Sequence, residues 1–281
     1  MNRLRVQRIG FALLGTLAVL VVLPILLVVA VIIVRGLSGI SWEFITAMPR
    51  EGMKAGGIMP AIVGTLLLTL GTAFVALPFG IGGAIYLSEY ARDTWLTRAI
   101  RLAILNLAGI PSVAYGLFGL GIFVLFLGFG TSIIAGSLTL AIMTLPIVIS
   151  TSEEALRAVP VEFRTVSASL GGTRWQGIKR IVLPQALPGI ITGAVLGLLR
   201  AGGETAPILF TVAAFYLPSL PRSPLDATMA LPYHLYVIST QVPGMPESMQ
   251  FGTALVLLSL VLSMNIAATL LRSYYRRRRQ W

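Results

Sequence analysis

The sequence predicts an all-α polytopic membrane protein with six transmembrane helices, and three observations carry that prediction. Of its 281 residues, 56% are hydrophobic and only 11% charged, with a mean hydropathy of +0.89; soluble domains carry about 25% charged residues. The remaining charges are gathered into short segments, separated by uncharged windows long enough for the roughly 20 residues that cross a bilayer. The basic residues also fall overwhelmingly on one side once the spans are drawn.

Taken in order, Arg8 and Arg35 bracket 26 uncharged positions, 9–34. This apolar stretch is too long for the core of a cleaved signal peptide, and no clear small-residue cleavage site follows it, so it reads as the first span. Lys54 and Glu89 bracket the second, within 55–88. Arg101 and Glu153 bracket 102–152, too long for one helix, and "GFGT" at 128–131 divides it into the third and fourth. The fifth covers 188–212 and contains Arg200 and Glu204; Glu247 and Arg272 bracket the sixth, 248–271. With both termini cytoplasmic, sixteen of the 21 Lys and Arg lie inside, four (Arg35, Arg50, Lys54, Arg222) outside, and Arg200 in the membrane. Acidic residues split five inside, four outside and Glu204 in the membrane, so the whole net charge of +11 sits inside. This is the positive-inside pattern. It also argues against nucleic acid as the partner of Arg276–Arg279, which follow the sixth span directly and face lipid headgroups.

Several chemistries are excluded or reduced. Cysteine is absent, which removes disulfides, cysteine zinc sites and thiol chemistry. No GxxxxGK[ST] loop is present for ATP. The single His234, between Tyr233 and Tyr236, reads as a surface or packing residue, and no metal site is expected. Glu153 and Glu154 read as acids opening a cytoplasmic helix, where they suit the dipole. Pro24 and Pro78 read as kinks within spans; Gly80, Gly82 and Gly83 read as packing contacts rather than a phosphate loop, since no strand precedes them.

Two loops are long. Residues 217–247 hold six of the sixteen prolines and predict a stiff, irregular cover over the outer mouth. Residues 151–187 predict a helix–turn–helix. Pro160 starts it, and Phe163, Val166 and Leu170 form one apolar stripe. Gly171-Gly172 ends that helix and Thr173 caps the next. Trp175, Ile178 and Val182 form a second stripe, stopped by Pro184 and Pro188. Its apolar residues pack under the bundle, dock on a partner's groove or lie in the membrane interface.

Gly171, nine residues and then Ile181-Val182-Leu183-Pro184 resemble the cytoplasmic signature of ABC importer permeases, EAAxxxG, nine residues and IxLP. The leading triplet departs from it: Thr165-Val166-Ser167 stands in place of Glu-Ala-Ala. The resemblance implies a type I ABC importer permease fold whose loop 151–187 docks on an ATP-binding subunit through Phe163, Val166, Leu170, Gly171, Ile181, Leu183 and Pro184. Glu162, one turn earlier, is the candidate for the missing acid. "GTLLLTLGTAFVALPFGIGGAIYLSEYA" (64–91), "LAGIPSVAYGLFGL" (107–120) and "GIITGAVLGLLRAGGETAPIL" (189–209) are similar to the A-type permease subunit of the phosphate (Pst) importer. This implies an N-terminal helix and outer loop over 1–59, the first helix wrapping a neighbour, a transmembrane domain over 60–270 and a basic cytoplasmic tail over 271–281. It further implies a C-type second permease chain, a dimeric ATP-binding subunit carrying ATP and Mg, and an extracytoplasmic phosphate-binding protein. This chain would itself hold no cofactor, catalyse no covalent step and sit in the bacterial inner membrane.

At about 100° per residue, Gly189, Gly193, Gly197, Arg200 and Glu204 share an arc of about 80° on a continuous helix, with Ile191, Val195, Leu198 and Leu199 elsewhere. Each charge costs about 2.5–3.5 kcal/mol or more at mid-bilayer, so that face meets protein or a cavity, helped by the small-residue spacing. Two readings stay open: a mutually neutralising structural pair, or an oxyanion pathway in which the guanidinium offers two-pronged donors. The resemblance places the phosphate pathway on Arg200 and Glu204. Alternatives are the same machine for another oxyanion such as sulfate or molybdate or for an organic solute, a secondary transporter or channel needing no ATPase, or a membrane-anchored scaffold; the absence of paired inverted repeats with broken helices speaks against the transporter.

Overall fold

The computed structural model describes residues 3–169 and 171–277; Met1, Asn2, the expected docking residue Leu170 and the end of the basic tail, 278–281, lie outside the described residues. In chain order the elements are α1 (Arg3–Leu37), α2 (Trp42–Thr46), a small antiparallel pair β1 (Pro49–Arg50) and β2 (Ala55–Gly56), and α3 (Met59–Ile85), which runs on into a π-turn, Tyr86–Tyr90. Next come α4 (Trp95–Ala108), α5 (Ser112–Gly119) with a π-turn Leu120–Phe126, and α6 (Ile133–Arg157). The α7 (Val161–Ser169) and α8 (Arg174–Gly177) pair leads through a π-turn, Ile178–Val182, into α9 (Leu183–Gly203). The chain closes with α10 (Ala206–Thr211), α11 (Leu231–Thr240) and α12 (Glu247–Arg277).

Among the described residues five stretches are long and apolar enough to cross a membrane: Gly10–Leu37, Met59–Tyr90, Ile133–Arg157, Arg174–Gly203 and Glu247–Tyr274. The expected third span is not one helix. It is a bent pair, α4 and α5, turned by 102° at Gly109–Pro111. Pro111 lacks a backbone donor and pushes Ile110 out of the helical region, so a helix entering from α4 cannot continue straight. An uncharged window measures length and is blind to such a turn.

The α3, α6 and α9 helices pack side by side at the centre, and α12 lies between α9 and α1. In lipid, apolar burial drives helix association weakly, and close approach at small residues replaces it. A Cβ on Gly189 would meet Ala155, one on Gly193 would collide with Thr151, and one on Gly80 would press on Val148. Among the described residues three apolar clusters result, a minor one of Phe123, Val124 and Ala135 where the π-turn after α5 meets α6, and two principal ones. The larger, at the α11 end, gathers Leu68, Leu140, Ile208, Met229, Leu231 and Ile238. The smaller, at the α7 end, gathers Ala84, Leu156, Val159, Val182, Ala186 and Ile190.

Two loop expectations need correction. Within 217–247 the chain folds a buried helix, α11, with Pro232 in its first turn, where the missing donor costs nothing; the Leu231 amide donates to Thr65 Oγ1 at 2.8 Å. Pro184 and Pro188 do not stop the second loop helix: 174–203 is one continuous rod. The amide of Leu183 reaches five residues back to Ile178, a wide turn that absorbs the donor Pro184 lacks.

Candidate functional site

The AGGETAP segment breaks the predicted fifth span. Gly202 and Gly203 end α9 cheaply, Glu204 is extended (φ −77°, ψ 136°), and Pro207 opens α10. The helical-wheel position expected for Glu204 therefore does not hold, because the helix stops one residue before it. Its carboxylate still returns to Arg200, where Oε1 accepts from Nε at 3.3 Å. The two side chains are 36% and 19% exposed. Among the described residues no other hydrogen bond holds the guanidinium, so its Nη1 and Nη2 edge is open. The glycine stripe of the same helix faces α6, with Gly197 against Val148 and Gly193 against Thr151. Non-helical backbone at membrane depth persists only where protein or a cavity surrounds it. Thr65, Thr69, Gly202, Glu204 and Pro232 line a crevice there of about 10 Å³, about the room one water needs. This chain alone therefore encloses no oxyanion-sized space in that crevice.

The predicted docking residues divide. Phe163 and Leu183 pack on the smaller apolar cluster, whereas Val166 is 53% exposed. Gly171 takes φ +72° and turns the chain between α7 and α8, a conformation natural to glycine. Thr173 caps α8, accepting from the Gln176 amide while its own amide donates to the Gln176 side chain. Ile181 lies in the π-turn and Pro184 in the first turn of α9. Among the described residues of this region, the exposed large apolar side chains are Val161, Val166 and Trp175.

Two charge clusters escaped the sequence reading. Glu153 does not open a helix; it sits buried near the C-terminal end of α6, away from the helix start that would favour a carboxylate. Arg101 donates through Nε to its Oε1 at 2.8 Å, Arg157 Nη2 pairs with the same oxygen at 2.8 Å, and the two cations offset the cost of burying it; the Glu153–Arg157 spacing of four was the available signal. Glu89, in the π-turn after α3, receives Arg164 Nε at 3.1 Å and Nη2 at 2.8 Å. That pair is 75 residues apart and leaves no local trace. A cavity of about 440 Å³ lies beside it, lined by Ser88, Ser167, Thr173 and Arg174 among others, far in sequence from Arg200.

Residues 76–280 match the family described as binding-protein-dependent transport system inner membrane component. The chain is 32% identical, over 95% of each sequence, to the probable ABC transporter permease protein YqgI of Bacillus subtilis (strain 168). It is 37% identical to the phosphate transport system permease protein PstA 1 of Mycobacterium tuberculosis (strain H37Rv), over 80% of this chain and 73% of that one. In fold it is similar to a chain of a crystal structure of a bacterial ABC transporter involved in the import of the acidic polysaccharide alginate. There the TM-score is 0.67 at 15% identity, covering 96% of this chain and 99% of the other. The spanning helices, the broken fifth span and the capped helix pair thus sit in a chain that matches one family over most of its length: it belongs to the binding-protein-dependent transport system inner membrane components, the multi-pass permease subunits of ABC transporters.

Proposed function

We propose that this chain is the A-type permease subunit that passes inorganic phosphate in an ATP-driven importer. One observation carries the reading: Arg200 stands beside a break in a spanning helix, tied by a single long bond to Glu204, with its Nη edge free to receive an anion. A planar guanidinium suits the paired oxygens of phosphate. Glu204 balances Arg200 when the passage is empty and competes with the anion, which lets the passenger leave. The names of relatives such as the mycobacterial protein support phosphate over sulfate or molybdate.

The narrow crevice beside Glu204 fits a passage completed by a second, C-type permease chain facing Arg200. In this reading residues 60–270 form the transmembrane domain, α1 wraps the neighbouring chain, and both termini, including the basic tail, face the cytoplasm. The loop 151–187 docks on a dimeric ATP-binding subunit that holds ATP and Mg. Val166 and the turn at Gly171 meet the groove, Ile181, Leu183 and Pro184 carry the return to the membrane, Phe163 braces α7 from beneath, and the exposed Glu162 supplies the missing acid. A phosphate-binding protein delivers to an outer surface that includes 217–247.

The test is Arg200→Ala in the assembled complex. Losing two charge-assisted bonds predicts a fall in phosphate uptake of about 100-fold or more, with the complex intact on size-exclusion chromatography. Wild-type uptake by that variant sinks the pathway role. Competition by sulfate or molybdate as strong as by phosphate reassigns the passenger, and uptake by this chain alone in liposomes moves it to an ATPase-independent class.

A further inference from the structure

We propose that Arg164 and Glu89 form the strut that carries movement of α7 into α3, a positioning pair for coupling; the inference rests on the reading that α7 docks on an ATP-binding subunit. The Glu89 carboxylate is only 7% exposed and is gripped at both oxygens by one guanidinium. The same guanidinium donates through Nη2 to the Leu156 carbonyl at 2.9 Å and through Nη1 to the Val159 carbonyl at 2.6 Å. One side chain of α7 therefore joins the end of α6, the link after it and the turn that ends α3. On the other flank Arg101 of α4 donates through Nη2 to the Leu87 carbonyl at 2.9 Å and through Nε to Glu153 at 2.8 Å. The π-turn is held from two sides by arginines.

Packing assigns the strut its role. The backbone of α7 packs on α8 and on the π-turn before α9, not closely on the π-turn after α3. The cavity of about 440 Å³ opens between them, with Ser88, Glu89, Arg164, Ser167 and Arg174 on its walls. Across this gap the ion pair ties α7 to the turn, and beside it the Arg174 guanidinium of α8 lies 5.9 Å from the Tyr90 ring. Well-packed apolar side chains would hold a static junction as firmly as a buried ion pair; a directional two-pronged bond instead fixes distance and orientation while the surrounding space lets α7 tilt. At its other end α3 presents Thr65 and Thr69 to the crevice beside Glu204, so a push on Glu89 travels along one continuous helical stretch, Met59–Tyr90, toward the passage.

The variants Glu89→Gln, which keeps shape, and Arg164→Met are compared in the full complex with its ATP-binding subunits. Hydrogen exchange is measured over 161–169 and 86–90, with and without ATP trapped by vanadate, alongside basal ATPase and phosphate uptake. In the wild type, trapping changes exchange in both segments. In Glu89→Gln the complex stays assembled, basal ATPase is unchanged and the change in α7 persists. The change at 86–90 disappears, and uptake per ATP falls about tenfold, a usual size for coupling between sites. The double variant is no worse than the worse single one, because the pair acts as a unit. A response at 86–90 that survives in both variants overturns the strut, as does a wild-type turn that does not respond, or loss of assembly and basal ATPase in Glu89→Gln. If trapping leaves wild-type α7 unchanged, the docking reading fails first. If the wild type moves sulfate instead, only the passenger is wrong, and the exchange data still decide the strut.

Discussion

At the scale of single residues, His234 shows what a charge-poor fold does with its one imidazole. It is 1% exposed on α11, and neither ring nitrogen finds a partner among the described residues. Burial alone lowers its pKa to about 4, against about 6.5 in the unfolded chain. Between those values the unfolded state binds the extra proton, so this contribution to stability is complete above pH 6.5 and is lost as pH falls toward 4. Its full extent is about 3 kcal/mol. Thermal unfolding of the solubilised chain should show a midpoint that falls on acidification from pH 7 to 4.5, and His234→Phe should fall less steeply; equal slopes refute the assignment. The sequence placed His234 in a proline-rich outer loop and left surface and packing both open. Its burial needed α11, whose short apolar run reads as loop until α3 and α12 are packed against it. Arg200 and Glu204 were legible singly, because two charges in an otherwise uncharged span stand out. Their geometry was not, since the wheel assumed a helix that ends at Gly203.

Among elements, α9 is set by its small residues. The stripe Gly189, Gly193, Gly197 was readable from spacing alone, and it seats on α6 as that spacing requires. Gly193→Val would drive a side chain into Thr151 and should cost about 1–3 kcal/mol. Gly82→Ala is the control: nothing lies within 4 Å of a Cβ there, and the helix gains up to about 1 kcal/mol in propensity. Unfolding midpoints in detergent should fall for the first and hold or rise for the second; a harmless Gly193→Val refutes the close contact. The turn at Gly171 and the Thr173 cap were equally legible, because caps are local chemistry. The bend at Gly109–Pro111 was written in the same alphabet yet passed over, because an uncharged window counts residues and not directions.

For the whole molecule, the two principal apolar clusters lie at opposite ends of α3, α6 and α9, and these three helices link them. The end built on the smaller cluster carries Val161, Val166 and Trp175 outward, with Trp175 52% exposed. Aromatic anchors dominate docking surfaces, so Trp175→Ser should weaken capture of the ATP-binding subunit in a pull-down by about 30-fold, the equivalent of about 2 kcal/mol. Unchanged capture removes Trp175 from the interface. Composition and spacing along the chain were enough for the membrane class, for the first, second, fourth and sixth spans, for the unequal share of positive charge among the segments between spans, and for a charged pair near the end of the fifth. Each follows from composition and local spacing, which act on neighbours along the chain. The break of the fifth span at Glu204, the clamp of two arginines on Glu153 and the meeting of Glu89 with Arg164 across 75 residues come from the folded chain alone. Those outcomes depend on which helices lie side by side, and pairing of distant helix ends is fixed by packing in three dimensions.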